Sequence, residues 1–219
     1  MKDSTDVTGD NASAPDEAET ASAADREKKV AAIVGSTVAI TGTPAELYLR
    51  KRGIMVTPPD CIRFRRHAYG RFGQYGALAA VATDAEGKAL AVQQVYVTKD
   101  GEKALVAVVK RTNKAADDWT ERSAVRMPGT LPLILAEGPE TAMSIWQATG
   151  RETWACLGIS NIGRAPVPAG APIVIARDGD EAGSKADRQI GKAAATLIER
   201  GHVVSMAIPP RGETSMTCW

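Results

Sequence analysis

The chain has 219 residues, 44% hydrophobic and 24% charged, enough for one large domain or two small ones with a proper core. There is no long apolar run and no apolar leader, which excludes a membrane span and a secretory signal; a cytoplasmic protein is expected. The net charge of +1 conceals an asymmetry. Residues 1–25 carry seven acids against Lys2, a balance of −6, so the remainder carries +7. That excess suits a polyanionic partner and equally suits an ordinary solvated basic surface. Cys61, Cys156 and Cys218 are odd in number and too far apart for a zinc knuckle, so free thiols are expected.

Residues 1–25 contain almost nothing large and apolar and read as a disordered acidic tail. Order is expected near Arg26, with the helix-prone "REKKVAAIVGST". In "TGTPAELYLRKRGI", Thr43 is an N-cap, Pro44 suits the first helical position and Glu46 completes a capping box. Leu47 and Tyr48 supply the buried side of that helix, and Gly53 closes it. From Ile62 to Met127 the hydrophobic period becomes two. Strands are expected on both sides of Ala85-Glu86-Gly87, with a second turn at Lys99-Asp100-Gly101. Residues 110–123, "KRTNKAADDWTERS", read as a polar loop.

The pattern changes again at Leu131. "LPLILAEG" is a short buried strand, and Pro139 opens a helix that stops at Gly150. "TWACLG" and "APIVIARDGD" are further strands. Helical spacing then runs from Ala182 to Arg200, and "HVVSMAIPP" is a last strand. Strand and helix in alternation imply a parallel sheet with ligands at the carboxyl ends of its strands. The expected fold is α/β: a parallel-sheet unit over 129–210, preceded by a helical lead-in and a small antiparallel unit over 26–128.

Three acids fall at expected strand ends: Glu137, Asp178 and Asp180. Singly, each reads as a solvated acid capping the next helix. Together they would repel unless a cation sat among them. A hard divalent ion with oxygen ligands, magnesium or manganese, resolves that conflict.

"LILAEGPETAMS" followed by "IVIARDGDEAG" resembles the Toprim domain shared by primases, topoisomerases and some nucleases. The resemblance places the family's glutamate on Glu137 and its aspartates on Asp178 and Asp180, with Gly138 and Gly183 at tight turns. The upstream segments resemble primase-like Toprim proteins of plasmids, phages and integrated elements. It implies a catalytic, magnesium-binding triad and nucleotidyl transfer, making RNA primers on single-stranded DNA during replication of a mobile element. Partners would be nucleoside triphosphates, the template and a separately encoded helicase, with no membrane. Lys103, Lys110, Arg111, Lys114, Arg122 and Arg126 are the candidate cations for nucleotide and template. Arg177, unusual beside the acidic pair, could lower the aspartate pKa values or contact phosphate. Tyr69, Phe72, Tyr75 and Trp119 are the aromatics placed where bases could stack. The cysteines form no template-reading zinc module, no phosphate-binding G-x-x-x-x-G-K-[ST] loop is present, and 219 residues leave no room for a topoisomerase's DNA-binding domain. A non-catalytic metal and nucleic-acid-binding module and a Toprim nuclease are the alternatives.

The end of the chain, residues 211–219, is atypical for such a protein. Read one base earlier, Met216/Thr217 must encode Asp and Cys218/Trp219 must encode Leu. The shifted frame can spell the Asp-Phe-Asn-Asp-Leu-Leu expected after the last strand, so a frame-slipped terminus on a longer primase-like ancestor is anticipated.

Overall fold

Chain order and spatial order coincide in the N-terminal half. Helix α1 (Ala23–Gly35) is followed by β1 (Thr37–Ala39), helix α2 (Pro44–Arg50), β2 (Ile62–Tyr69), β3 (Tyr75–Thr83), β4 (Ala89–Val97) and β5 (Lys110–Lys114). The strands form one antiparallel sheet in the order β1-β2-β3-β4-β5. The computed structural model describes residues 22–70, 73–177 and 183–207. Tight turns make this meander possible. Between β3 and β4 the Asp84 carboxylate accepts the N–H groups of Glu86 and Lys88, while Gly87 takes φ +84°.

The helices follow their caps. α1 begins at Ala23, earlier than Arg26 and inside the segment read as a tail, because the Ser22 hydroxyl accepts the Asp25 N–H. Residues 1–21 lie outside the described residues. Thr43 caps α2 by accepting the Glu46 N–H, and the Glu46 carboxylate accepts the Gly42 N–H at 2.7 Å. Tyr48 is buried as expected, but Leu47, also expected inside, is 41% exposed, and Ala45 and Leu49 turn inward in its place. Positions i, i+3 and i+4 share one face, and Leu47 lies off it.

The polar loop expected over 110–123 is a strand and a short helix. β5 pairs antiparallel with β4, and α3 (Trp119–Arg122) follows it. β5 is the edge of its sheet, where polar and cationic side chains are tolerated, so no apolar alternation marks it.

The second sheet contains β6 (Val125–Met127), β7 (Thr130–Ala136), β8 (Arg151–Ala155), β9 (Ile173–Ala176) and β10 (Val204–Ala207), in the order β10-β9-β7-β8-β6. Its first four members are parallel, and β6 runs antiparallel beside β8. Helix α4 (Pro139–Thr149) links β7 to β8, and α5 (Lys185–Glu199) links β9 to β10. Thus the expected parallel sheet carries an unforeseen antiparallel edge. Val125–Met127 is too short to show a period.

The two sheets share one core. Tyr48, Leu78 and Val95 from the first half lie in the same buried cluster as Met127, Ile134, Met143 and Ile145 from the second. Thr83 and Ala124 exchange backbone hydrogen bonds across the junction. α1 covers the opposite face of the antiparallel sheet, burying Val30 and Ile33 against Ala79, Val81 and Val92. Among the described residues no helix is long and apolar enough to cross a membrane.

Candidate functional site

Glu137 directly follows β7, the middle strand of the second sheet, and is half-buried. Its carbonyl accepts the Gly158 N–H at 3.1 Å, which fixes the backbone where the strand ends. The β7–β9 register pairs Leu135 with Ile175. Carried forward two residues, it sets Glu137 beside Arg177 at the carboxyl edge. Asp178 and Asp180 come next in the chain and lie outside the described residues.

Arg177 has a partner on the following helix. Its guanidinium donates to Asp187 in the first turn of α5, and both side chains are largely buried. The other Asp187 oxygen accepts the Gly183 N–H at 2.7 Å, and the Asp187 N–H donates to the Ser184 hydroxyl. Residue 177, which precedes the segment containing the two aspartates, and residue 183, which follows it, are therefore tied to one carboxylate. Gly183 takes φ +79°, as a tight turn requires; Gly138 is instead the extended N-cap of α4.

Across from Glu137 the antiparallel sheet supplies cations. An open cleft of about 300 Å³ is lined by Lys103, Lys110 and Arg52 on one side and by Glu137, Gly138 and Glu140 on the other. Lys103 and Lys110 are exposed. Arg52 and Glu140 escaped the sequence reading. The Tyr48 hydroxyl donates to Glu140 at 3.0 Å, and the Arg52 guanidinium lies 4.0 Å from the Tyr48 ring centroid. Burial, with the Glu140 charge second, pushes the Tyr48 phenol well above its ordinary value, so it stays a donor. Tyr48 and Glu140 are 92 residues apart, and no local pattern announces their contact.

The other cations expected to serve as a group are dispersed. Lys114 shares a face of β5 with Lys110, by alternation. Arg111 belongs to the opposite face, beside Lys29, Arg65 and Gln94. Arg122 lies 3.6 Å from Asp118 on its own helix. Arg126 is turned into the protein: it lies 4.6 Å from the Trp154 ring centroid and donates to the Asp84 carbonyl. Trp119, considered for stacking, is a core residue. Phe72 is outside the described residues, and Tyr69 and Tyr75 pack together on the outer face of the sheet.

For a divalent metal, the described residues offer part of a donor set. Glu137 and Glu140 bring hard oxygen atoms to the cleft. No group of three metal-ligating side chains occurs among the described residues.

The fold is thus α/β, with a parallel strand that ends in a glutamate at a cleft also lined by lysine and arginine side chains. Residues 132–214 match the model of the Toprim domain, and residues 24–123 match a domain of unknown function (DUF7146). The DnaG catalytic core is similar in fold, with a TM-score of 0.57 and 14% identity over 88% of this chain and 73% of that one. The Aquifex aeolicus primase, in a structure of its zinc-binding and RNA polymerase domains, gives 0.55 and 12%, over 92% and 59%. The E. coli primase catalytic core gives 0.50 and 17%, over 81% and 56%. The chain thus spans between 56% and 73% of these three structures. No curated protein matches it significantly. Residues 132–214 of this chain thus match a Toprim domain, and its fold is similar to that of primase catalytic cores.

Proposed function

We propose that the protein is a primase-type nucleotidyltransferase, making short RNA on single-stranded DNA in the replication of a mobile element. One observation carries this reading: Glu137 at the end of β7 shares a cleft with Lys110 of β5 and with Lys103, in the segment between β4 and β5. Cations there suit the phosphates of a nucleoside triphosphate, while carboxylates suit the divalent ion that travels with them. In this reading Glu137, Asp178 and Asp180 hold magnesium or manganese. Such an ion neutralises phosphate charge and lowers the pKa of a coordinated hydroxyl. Lys103 and Lys110 bind and orient the triphosphate. Tyr48, held protonated, fixes the Glu140 carboxylate at the cleft wall. Residues 26–128 and 129–210 act as the two halves of this one site, in the cytoplasm, with a helicase supplied by another chain.

The test combines single-stranded DNA, labelled nucleoside triphosphates and magnesium. Short RNA products are expected, and chelation of the metal abolishes them. Glu137→Gln and Asp178→Asn, each close to isosteric, should remove product formation while leaving the melting temperature unchanged. Cleaved DNA instead would make the protein a nuclease. Retained DNA without products would make it a binding module.

A further inference from the structure

The outer face of the antiparallel sheet, away from the Glu137 cleft, carries a second polar pocket. It encloses about 310 Å³ between α1 and the sheet, lined by Lys29, Arg65, Gln94, Tyr96, Arg111 and Asn113. No carboxylate lines it among the described residues, and none of its three cations forms an ion pair with a described residue. Arg65 is held by neutral partners only, donating to Ser36 at 3.1 Å and to Gln94 at 2.9 Å. A guanidinium held in place by neutral groups keeps its full charge for a ligand. The Asn113 side-chain amide adds a buried N–H without an acceptor.

Aromatic rings continue the same face. Tyr69 pairs with Tyr75 and Ala77 with Tyr96 in the strand register, so all four side chains lie on one side of the sheet. The Tyr69 ring centroid is 4.8 Å from that of Tyr96 and 6.5 Å from that of Tyr75. Tyr96 is buried, whereas Tyr69 and Tyr75 are half-exposed. Cations beside partly open aromatic rings on a sheet are what a flexible polyanion with unpaired bases requires. A duplex hides its bases, so open rings beside cations favour a single strand over a duplex.

We infer that this outer face is a single-stranded nucleic-acid platform, separate from the cleft: Lys29, Arg65 and Arg111 take phosphates, and Tyr69 and Tyr75 stack bases. β5 joins the two surfaces, because Lys110 faces the cleft and Arg111 the platform from one edge strand. The inference does not depend on the reaction proposed for Glu137; Glu137→Gln should leave this binding intact.

The experiment measures binding of the full chain to a fluorescent oligo-dT of about 12 nucleotides, within the site size of such surfaces. Lys29→Ala and Arg111→Ala alter exposed side chains, so the fold is retained. Each should weaken binding and lower the salt slope by about 0.7, one single-strand phosphate contact apiece. Tyr69→Leu should weaken binding about tenfold, and Tyr69→Phe should stay near wild type, as stacking predicts. Duplex DNA should bind more weakly and ignore Tyr69. The inference is overturned if the Lys29→Ala/Arg111→Ala double variant binds oligo-dT normally while Lys103→Ala/Lys110→Ala does not. It is equally overturned if oligo-dT, duplex and inorganic polyphosphate all lose affinity alike and Tyr69→Leu changes none of them; the face is then an anion patch only.

Discussion

At the residue scale, Arg177 shows how a charge beside an acidic motif can be committed elsewhere. Its partner is Asp187, which also holds the Gly183 N–H. Arg177→Ala should therefore cost roughly 1.5–3 kcal/mol, the range for a hydrogen bond to a charged group, read as a lower melting temperature. Product formation should fall with it, since residues 177 and 183 lose their common tie, whereas oligo-dT affinity should not change. The buried ionisable groups set a second expectation. Burial pushes the thiols of Cys61 and Cys156 up to about 12, and it raises the Tyr48 phenol as well. In the unfolded chain thiols lose their protons at about 9 and the phenol at about 10. Folded pKa values above unfolded ones mean that this stability is complete below about pH 9 and is lost as pH rises through the folded values. The melting temperature should drop steadily in that alkaline window, and Tyr48→Phe should make the upper part of the drop shallower. A flat profile there would show that these groups are not buried as described. The same protonation predicts that neither Cys61 nor Cys156 is alkylated at neutral pH until the protein unfolds, a result that peptide mapping reads directly.

At the element scale, turns and caps carry the clearest expectations. Gly87 and Gly101 both close hairpin turns with positive φ, +84° and +73°. A Cβ on Gly87 meets open space, whereas on Gly101 it would lie 2.8 Å from the Tyr48 backbone nitrogen and 2.7 Å from Leu47 Cγ. Gly87→Ala should cost about 1 kcal/mol for left-handed backbone alone. Gly101→Ala should cost more, because the turn must also pull away from α2. Denaturant titration of the two variants compares them; equal losses would mean that this contact yields freely. Thr43→Ala should remove about 1 kcal/mol by deleting the α2 cap, which in turn holds Tyr48 at the cleft. β5 teaches the opposite lesson. Its five residues carry three cations, yet alternation sends Lys110 and Arg111 to different surfaces.

At the scale of the whole molecule, one buried cluster draws on both sheets, on α2 and on α4. α4 is further fastened by Gln147, whose side chain accepts the N–H groups of Met55 and Val56 and donates to the Gly53 carbonyl. Unfolding should accordingly be a single cooperative transition, coincident by tryptophan fluorescence and far-ultraviolet dichroism. Two separated transitions would show that the sheets are independent units. Shared packing also bears on the cleft, since its cationic wall and its acidic wall come from different sheets and keep their spacing only while the common core is intact.

The sequence by itself determined the local structure. Period-two stretches became β3 and β4, the Thr43-Pro44-Glu46 signal became the start of α2, and alternating buried strands and helices became the parallel sheet. These depend on neighbours a few residues apart, where caps, turns and alternation act directly. Glu137 was legible for the same reason: an acid that directly follows a buried strand stands at the strand's carboxyl end. What only the tertiary structure decided was which side chains meet over long separations. Tyr48 finds Glu140, Arg52 stacks on Tyr48, and Arg126 turns inward to Trp154. It also decided that β6 and β5 are strands, since both are edge segments held by a single neighbour and carry too few apolar residues to show a period. The division of the basic residues between a cleft and an outer face came with that pairing, because the side to which a side chain points is fixed only once its strand is in register.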